Sequence, residues 1–132
     1  MKYNALIPEL MVSNIKRSIS FYKKLGFKEE YKRTNFSFLS LQHNQIMLQQ
    51  KNSTWLVGKL QKPFGRGINL QMQVTNIRQI LHRTATHNIT LFEEPTTNWY
   101  QVGTKKLGNN EFLVQDPDGY LLRIFNEVPS KK

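Results

Sequence analysis

Two stretches of the chain repeat one order of apolar and polar positions. Leu10-Met11-Val12-Ser13-Asn14-Ile15 overlies Met72-Gln73-Val74-Thr75-Asn76-Ile77 at an offset of 62 residues. At that offset Ile19, Gly26 and Phe27 fall on Leu81, Asn88 and Ile89. The leading residues alternate, as a half-buried strand does. Ser13/Asn14 and Thr75/Asn76 come next, residue types whose side-chain oxygens cap a helix N-terminus. Apolar residues then recur on one helical face: Ile15, Ile19, Tyr22 and Leu25 in the first copy, Ile77, Ile80, Leu81 and Thr84 in the second. Gly26 and Asn88, types that tolerate the left-handed conformation, predict where the helices stop.

A second match, at an offset of 74, sets Phe38-Leu39-Ser40-Leu41 on Phe112-Leu113-Val114-Gln115. It sets His43-Asn44-Gln45 on Pro117-Asp118-Gly119, and Ile46-Met47-Leu48 on Tyr120-Leu121-Leu122. The twelve residues gained between the two offsets fall around Thr96–Asn110 and predict a longer loop, a place for specificity. Each half therefore reads βαβββ, module one over about 1–62 and module two over about 63–128, with 129–132 as a loose tail. A half of this size is marginal alone, so residues 1–128 are expected to form one pseudo-symmetric α+β domain.

Composition narrows the chemistry. The chain has 132 residues, 39% of them hydrophobic, which argues against disorder. It has no cysteine, which excludes disulfides, thiolate zinc sites, iron–sulfur clusters and a cysteine nucleophile. That absence fits a cytoplasmic protein. No apolar run approaches membrane-spanning length, and Met1-Lys2-Tyr3-Asn4-Ala5 opens into a strand-like pattern without a signal core. Net charge is +10, but the basic residues are spread without a block, so a solvated surface is favoured over a nucleic-acid footprint. Gly65-Arg66-Gly67 is too short for a phosphate loop and reads as a turn. The pairs Glu29-Glu30 and Glu93-Glu94 would point to opposite strand faces, so neither is an acid–base dyad. His43, His82 and His87 read as surface residues, Asp116 and Asp118 as builders of a hairpin turn, and no serine sits in a nucleophile motif.

Pro8-Glu9-Leu10-Met11-Val12-Ser13-Asn14 followed by Ser18-Ile19-Ser20-Phe21-Tyr22-Lys23-Lys24-Leu25-Gly26-Phe27 resembles the opening of the glyoxalase/bleomycin-resistance/dioxygenase superfamily. Asp116-Pro117-Asp118-Gly119-Tyr120 resembles its last hairpin, and Pro63-Phe64-Gly65-Arg66-Gly67-Ile68-Asn69 with Phe112–Arg123 resembles its drug-sequestering branch. The resemblance spans nearly the whole chain. It implies two tandem βαβββ modules forming a cupped mixed sheet. It also implies a homodimer with ligand crevices at the interface, in some relatives with the N-terminal strand exchanged between subunits, here hinged near Pro8. Enzymes of the superfamily hold a divalent metal at four repeat-related cup positions, which the resemblance places at Ile7, Gln49, Asn69 and Arg123. Ile7 has no donor atom, Arg123 is a permanent cation, and two neutral amides make a poor divalent site, so no metal and no cofactor are expected.

Aromatic residues are the other candidates. Phe36 and Phe38 alternate on one strand face, Trp55 lies in the segment between the halves, and Trp99 and Tyr100 fall in the long second-half loop. Rings of this kind line the crevice in drug-sequestering relatives. By that resemblance Phe36, Trp55, Trp99 and Tyr100 would stack on a ligand, with Phe38 and Met47 beside them. For Phe38 and its repeat match Phe112 a place in the core is favoured over the crevice. Gln49 and Asn69 would hydrogen-bond, and Arg66 or Arg123 would meet anionic groups. The resulting expectation is a metal-free, non-catalytic protein that sequesters a bleomycin-type antibiotic or another small molecule, with no specific nucleic acid and no membrane as partner. Two alternatives stay open: a metal-dependent enzyme of the superfamily (glyoxalase, thiol transferase or dioxygenase) and a basic nucleic-acid-associated protein. The net charge of +10 opposes a cationic drug, whereas Glu9, Glu93, Glu94 or Glu111 supply local acids and Arg123 favours an anion.

Overall fold

The computed structural model describes residues 2–131. Strand β1 (Glu9–Val12) leads into helix α1 (Ile15–Leu25), then β2 (Lys28–Arg33), β3 (Phe36–Leu41) and β4 (Asn44–Gln50). After a connection, β5 (Asn69–Gln73) leads into α2 (Ile77–Thr86), β6 (Glu93–Val102), β7 (Lys105–Gln115) and β8 (Leu121–Lys131). The order βαβββ thus occurs twice. Each module makes a four-stranded mixed sheet, β1-β4-β3-β2 and β5-β8-β7-β6, in which the first strand runs parallel to the last.

The caps foreseen from the repeat are present. Asn14 Oδ1 accepts from Arg17 N at 3.1 Å, and Asn76 Oδ1 accepts from Arg78 N at 2.9 Å. Gly26 closes α1 at φ 124°, donating to Tyr22 and Lys23 carbonyls. Helix α2 ends one residue earlier in the repeat, at Thr86, with His87 as its C-cap and Asn88 at φ 56°.

Both helices cover the same side of their sheets and share one core. Leu10, Val12, Leu39, Leu41, Ile46 and Leu48 from module one meet Met72, Val74, Phe112, Val114, Leu122 and Ile124 from module two in a single cluster. Each fully buried large side chain is worth about 1.5–3 kcal/mol over its exposed state, and this shared burial is what neither half obtains alone.

The modules are locked at two related places. The β7–β8 turn sits on the end of β1: the buried Asp118 carboxylate accepts from Ser13 N at 2.9 Å and from Ser13 Oγ, and the cations Arg17 and Lys62 lie over it at 3.4 and 3.5 Å. The β3–β4 turn sits on the end of β5: Gln42 Oε1 accepts from Thr75 N at 2.9 Å, and Asn44 Nδ2 donates to Gln73 O at 2.8 Å. Asp116 and Asp118 do build a turn, as foreseen, since Asp116 Oδ1 accepts from Asp118 N and Tyr120 N, each at 2.9 Å. Gly119 there has φ +101° and lies against Pro63; a Cβ would stand 2.5 Å from that ring.

Three expectations change. The second repeat offset of 74 is a slip: β3 pairs β4 with Leu39 opposite Ile46, and β7 pairs β8 with Val114 opposite Leu122. Leu39 therefore corresponds to Val114 and Leu48 to Ile124, offsets of 75 and 76. The cause is the turn, two residues long (Gln42-His43) in module one and five (116–120) in module two. Next, Thr96–Asn110 is no loop but part of a β6–β7 ribbon, paired from Thr96↔Glu111 to Val102↔Lys105. Finally, residues 129–131, read as loose, continue β8, with Lys131 opposite Lys106; Lys132 lies outside the described residues.

Candidate functional site

Each sheet has one face on the core and one face free of helices. Register assigns residues to the second face, because directly paired residues share a side and neighbours alternate. In module one it carries Phe36 opposite Gln49, Phe38 opposite Met47, and Met11 beside Gln49. Tyr31 and Arg33 of β2 join it, opposite Phe38 and Phe36. In module two it carries Arg123 opposite Leu113 and beside Gln71, Asn69 beside Leu121, and Glu111 opposite Phe125.

On module one the rings are layered. Tyr31 stacks over Phe38 at 5.3 Å between centroids and over Phe36 at 6.0 Å. Tyr3 packs on Phe38 at 5.3 Å, and the Arg33 guanidinium lies 3.9 Å from the Phe36 ring centre. Phe36 and Phe38 are consequently buried. The side chains that present this surface are Tyr31, Tyr3 and Arg33, none of them a binding candidate from the sequence. Tyr3 donates to the Tyr31 hydroxyl at 3.3 Å, a bond that raises the Tyr3 pKa. In β2 a bulge between Glu29 and Tyr31 turns Tyr31 onto the ring face, while Glu29 bonds Ser37 and Glu30 bonds Ser40, so no alternation in the sequence marks Tyr31 as a surface ring.

On module two a charged group lies in the face. Glu111 is buried; its Oε2 is 3.4 Å from Arg123 Nε, and its Oε1 accepts from the Tyr100 hydroxyl at 3.3 Å. Desolvation first, and the Glu111 carboxylate second, raise the Tyr100 pKa. Tyr100 therefore belongs to this face. Trp99, its neighbour on a strand rather than in a loop, points the other way: it pairs with Gly108, where a Cβ would come within 2.8 Å of its ring. Trp55 is 42% exposed in the connection, and Arg66 there donates to Lys62 O at 2.6 Å. Neither lies on a strand of either face. Between the segment before β1, the start of β4 and β5, a hollow of about 280 Å³ is lined by Leu6, Pro8, Gln45, Asn69 and Gln71 among others. It holds Asn69 and none of the other candidates.

The corrected register changes the four repeat-related positions. Met47, not Gln49, is the counterpart of Arg123, so the set is Ile7, Met47, Asn69 and Arg123. A thioether, an amide, a hydrocarbon and a guanidinium do not make a divalent site. Among the described residues no three His, Cys, Asp or Glu side chains converge to hold an ion. The residues present do not fit the metal that the superfamily's enzymes use.

The two βαβββ modules and their reciprocal locks match a known pattern. The sequence profile of the Glyoxalase/Bleomycin resistance protein/Dioxygenase superfamily matches residues 5–124. The chain belongs to this superfamily. No curated protein matches it. Among solved structures, a protein from the mobile metagenome of V. pseudocholerae is 21% identical, with 98% of each chain covered and a TM-score of 0.69. A virulence protein of Salmonella typhimurium is 24% identical over 97% of this chain and 100% of its own, TM-score 0.67. A bleomycin resistance determinant encoded on the transposon Tn5 is 16% identical over 94% and 98%, TM-score 0.66. At these identities the likeness establishes the glyoxalase/bleomycin-resistance fold. No helix among the described residues is long and apolar enough to cross a membrane.

Proposed function

We propose that the chain binds a small organic molecule on its concave faces and leaves it chemically unchanged, sequestering an antibiotic of the bleomycin type or a compound of similar shape. The supporting observation is the filling of the four repeat-related positions by Ile7, Met47, Asn69 and Arg123 beside a layered aromatic surface. Such a surface suits a planar heteroaromatic group, for which ring contacts give about 0.5–1.5 kcal/mol per pair beyond area burial. Exposed Glu9, beside Met47, is a carboxylate available to a cationic arm, whereas Glu111 is already engaged by Arg123. In this reading two copies assemble, and the module-one face of one subunit closes over the module-two face of the other. Exchange of the N-terminal strand hinged near Pro8 is compatible with it. Segment 2–8 is tied to its own module by exposed bonds of Asn4 to Gln45 and His43 and of Gln45 to Lys2, which a partner could replace.

Calorimetric titration with metal-free and copper-loaded bleomycin tests the proposal. Saturation near one drug per chain, with Kd below about 1 µM (about −8 kcal/mol), supports it. Absence of heat up to about 100 µM drug removes bleomycin as the ligand. About one tightly held metal ion per chain after purification would overturn the non-catalytic reading in favour of an enzyme.

A further inference from the structure

The fold gathers cations that are scattered in the sequence. Helices α1 (IKRSISFYKKL) and α2 (IRQILHRTAT) carry six Lys and Arg and no Asp or Glu. They pack side by side on the face opposite the ring-bearing surface, and the Arg83 guanidinium bridges them, donating from Nε to Lys24 O and from Nη2 to Lys23 O, each at 2.9 Å. A hollow of about 390 Å³ beside α1 is lined by Lys16, Lys23, Lys24 and Lys32, with Glu29 the one acid. That acid is occupied by Ser37 Oγ at 2.6 Å and Lys23 Nζ at 3.5 Å. A second hollow, of about 550 Å³, has Gly26 in its lining together with Arg78, His82 and Arg83 of α2. All six of these Lys and Arg side chains are exposed.

We propose that this helix layer is a docking surface for the phosphodiester backbone of duplex nucleic acid. Charge complementarity selects a polyanion: a duplex offers one negative charge per about 1.7 Å of axis. Absent features select the duplex over two rivals. Among the described residues no large apolar or aromatic side chain is exposed on either helix, the exposed ones being Tyr3, Leu6, Trp55, Val57, Ile68 and others on strands or connections. A membrane surface would be gripped by such side chains, and single strands by exposed rings on which bases stack. Contact here is to backbone charge, without reading of bases. The surface lies on the side opposite the ring-bearing face, so it is independent of the small-molecule reading.

Fluorescence anisotropy with a labelled duplex of about two helical turns tests this on the full chain. Engagement of about four phosphates predicts a Kd of about 10 µM or tighter in 50 mM salt, weakening about 100-fold by 200 mM. The triple variant Lys16→Glu, Lys24→Glu, Lys32→Glu is expected to lose at least about 30-fold at 50 mM salt. The control triple Lys59→Glu, Lys105→Glu, Lys106→Glu changes net charge equally at exposed sites that line neither basic hollow, and is expected to lose less than about threefold. Circular dichroism confirms that both triples are folded. Equal loss in the two triples, no binding of the parent in 50 mM salt, or binding to phosphatidylserine vesicles without binding to duplex would each overturn the proposal.

Discussion

Replacing Tyr22 by Phe removes one hydroxyl from the point where α1 of the first module meets the last turn of the second. Tyr22 is fully buried, and its hydroxyl donates to Asp116 Oδ2 at 2.8 Å. Asp116 is itself 4% exposed, and burial raises its pKa above the ordinary 3.8, while the bonds from Tyr22, Tyr120 N and Asp118 N pull it back down. A hydrogen bond to a charged group contributes about 1.5–3 kcal/mol, so Tyr22→Phe is expected to cost about 2 kcal/mol near pH 7, a factor of about 30 in the folding equilibrium. The sign of the pH dependence follows from linkage. A carboxyl whose folded pKa is raised holds its proton more tightly in the native state, so stability falls as pH rises from below 3.8 through the folded value. The variant, lacking one stabilising donor, has a still higher folded pKa and falls further over that window. Its deficit is therefore smallest below pH 3.8 and reaches its full size above the folded pKa. Urea unfolding followed by circular dichroism at about pH 3.5 and pH 7 reads both numbers. A deficit under about 0.5 kcal/mol at pH 7, or one equal at the two pH values, would refute the assignment of Asp116 as a buried carboxylate held by Tyr22.

Gly108→Ala drives a methyl group to 2.8 Å from the Trp99 ring, so the ribbon must shift; a loss of about 1–3 kcal/mol with a changed tryptophan emission spectrum is expected. Tyr31→Ala strips the cover from Phe36 and Phe38; under the proposed sequestration, bleomycin affinity measured by calorimetry should fall at least about tenfold. Glu111→Gln removes the carboxylate that helps raise Tyr100, so the Tyr100 titration, followed by carbon NMR at alkaline pH, should move back toward 10.0.

The first halves of the modules were legible because their signals are local. Asn14 and Asn76 cap where their spacing before Ile15 and Ile77 says they should, and Gly26 ends α1 because a left-handed C-cap asks for that residue. The later strands were misregistered for a physical reason. A constant offset cannot carry across a strand, a turn and a strand when the two turns differ in length, and a slip of one reverses every side chain. That slip paired Phe38 with Phe112, which point to opposite faces, and gave Gln49 the place that belongs to Met47. The twelve residues gained between the two offsets predict a loop around Trp99 and Tyr100, but an insertion can equally lengthen two paired strands, and here it extends the β6–β7 ribbon. Tyr31 and Arg33 stayed hidden because a bulge sets which way they face, and a bulge leaves no alternation to count.

The two locks between the modules are unequal, and this gives the molecule a grain. At one edge a desolvated carboxylate gathers Ser13, Arg17 and Lys62; at the other a neutral amide, Gln42, meets Thr75 in water. Solvent competes freely for the second and poorly for the first. The expected thermal opening is then uneven, starting at Gln42 and last at Asp118, like a book bound along one spine. Amide exchange would see it as early loss of protection at Thr75 while Ser13 stays closed.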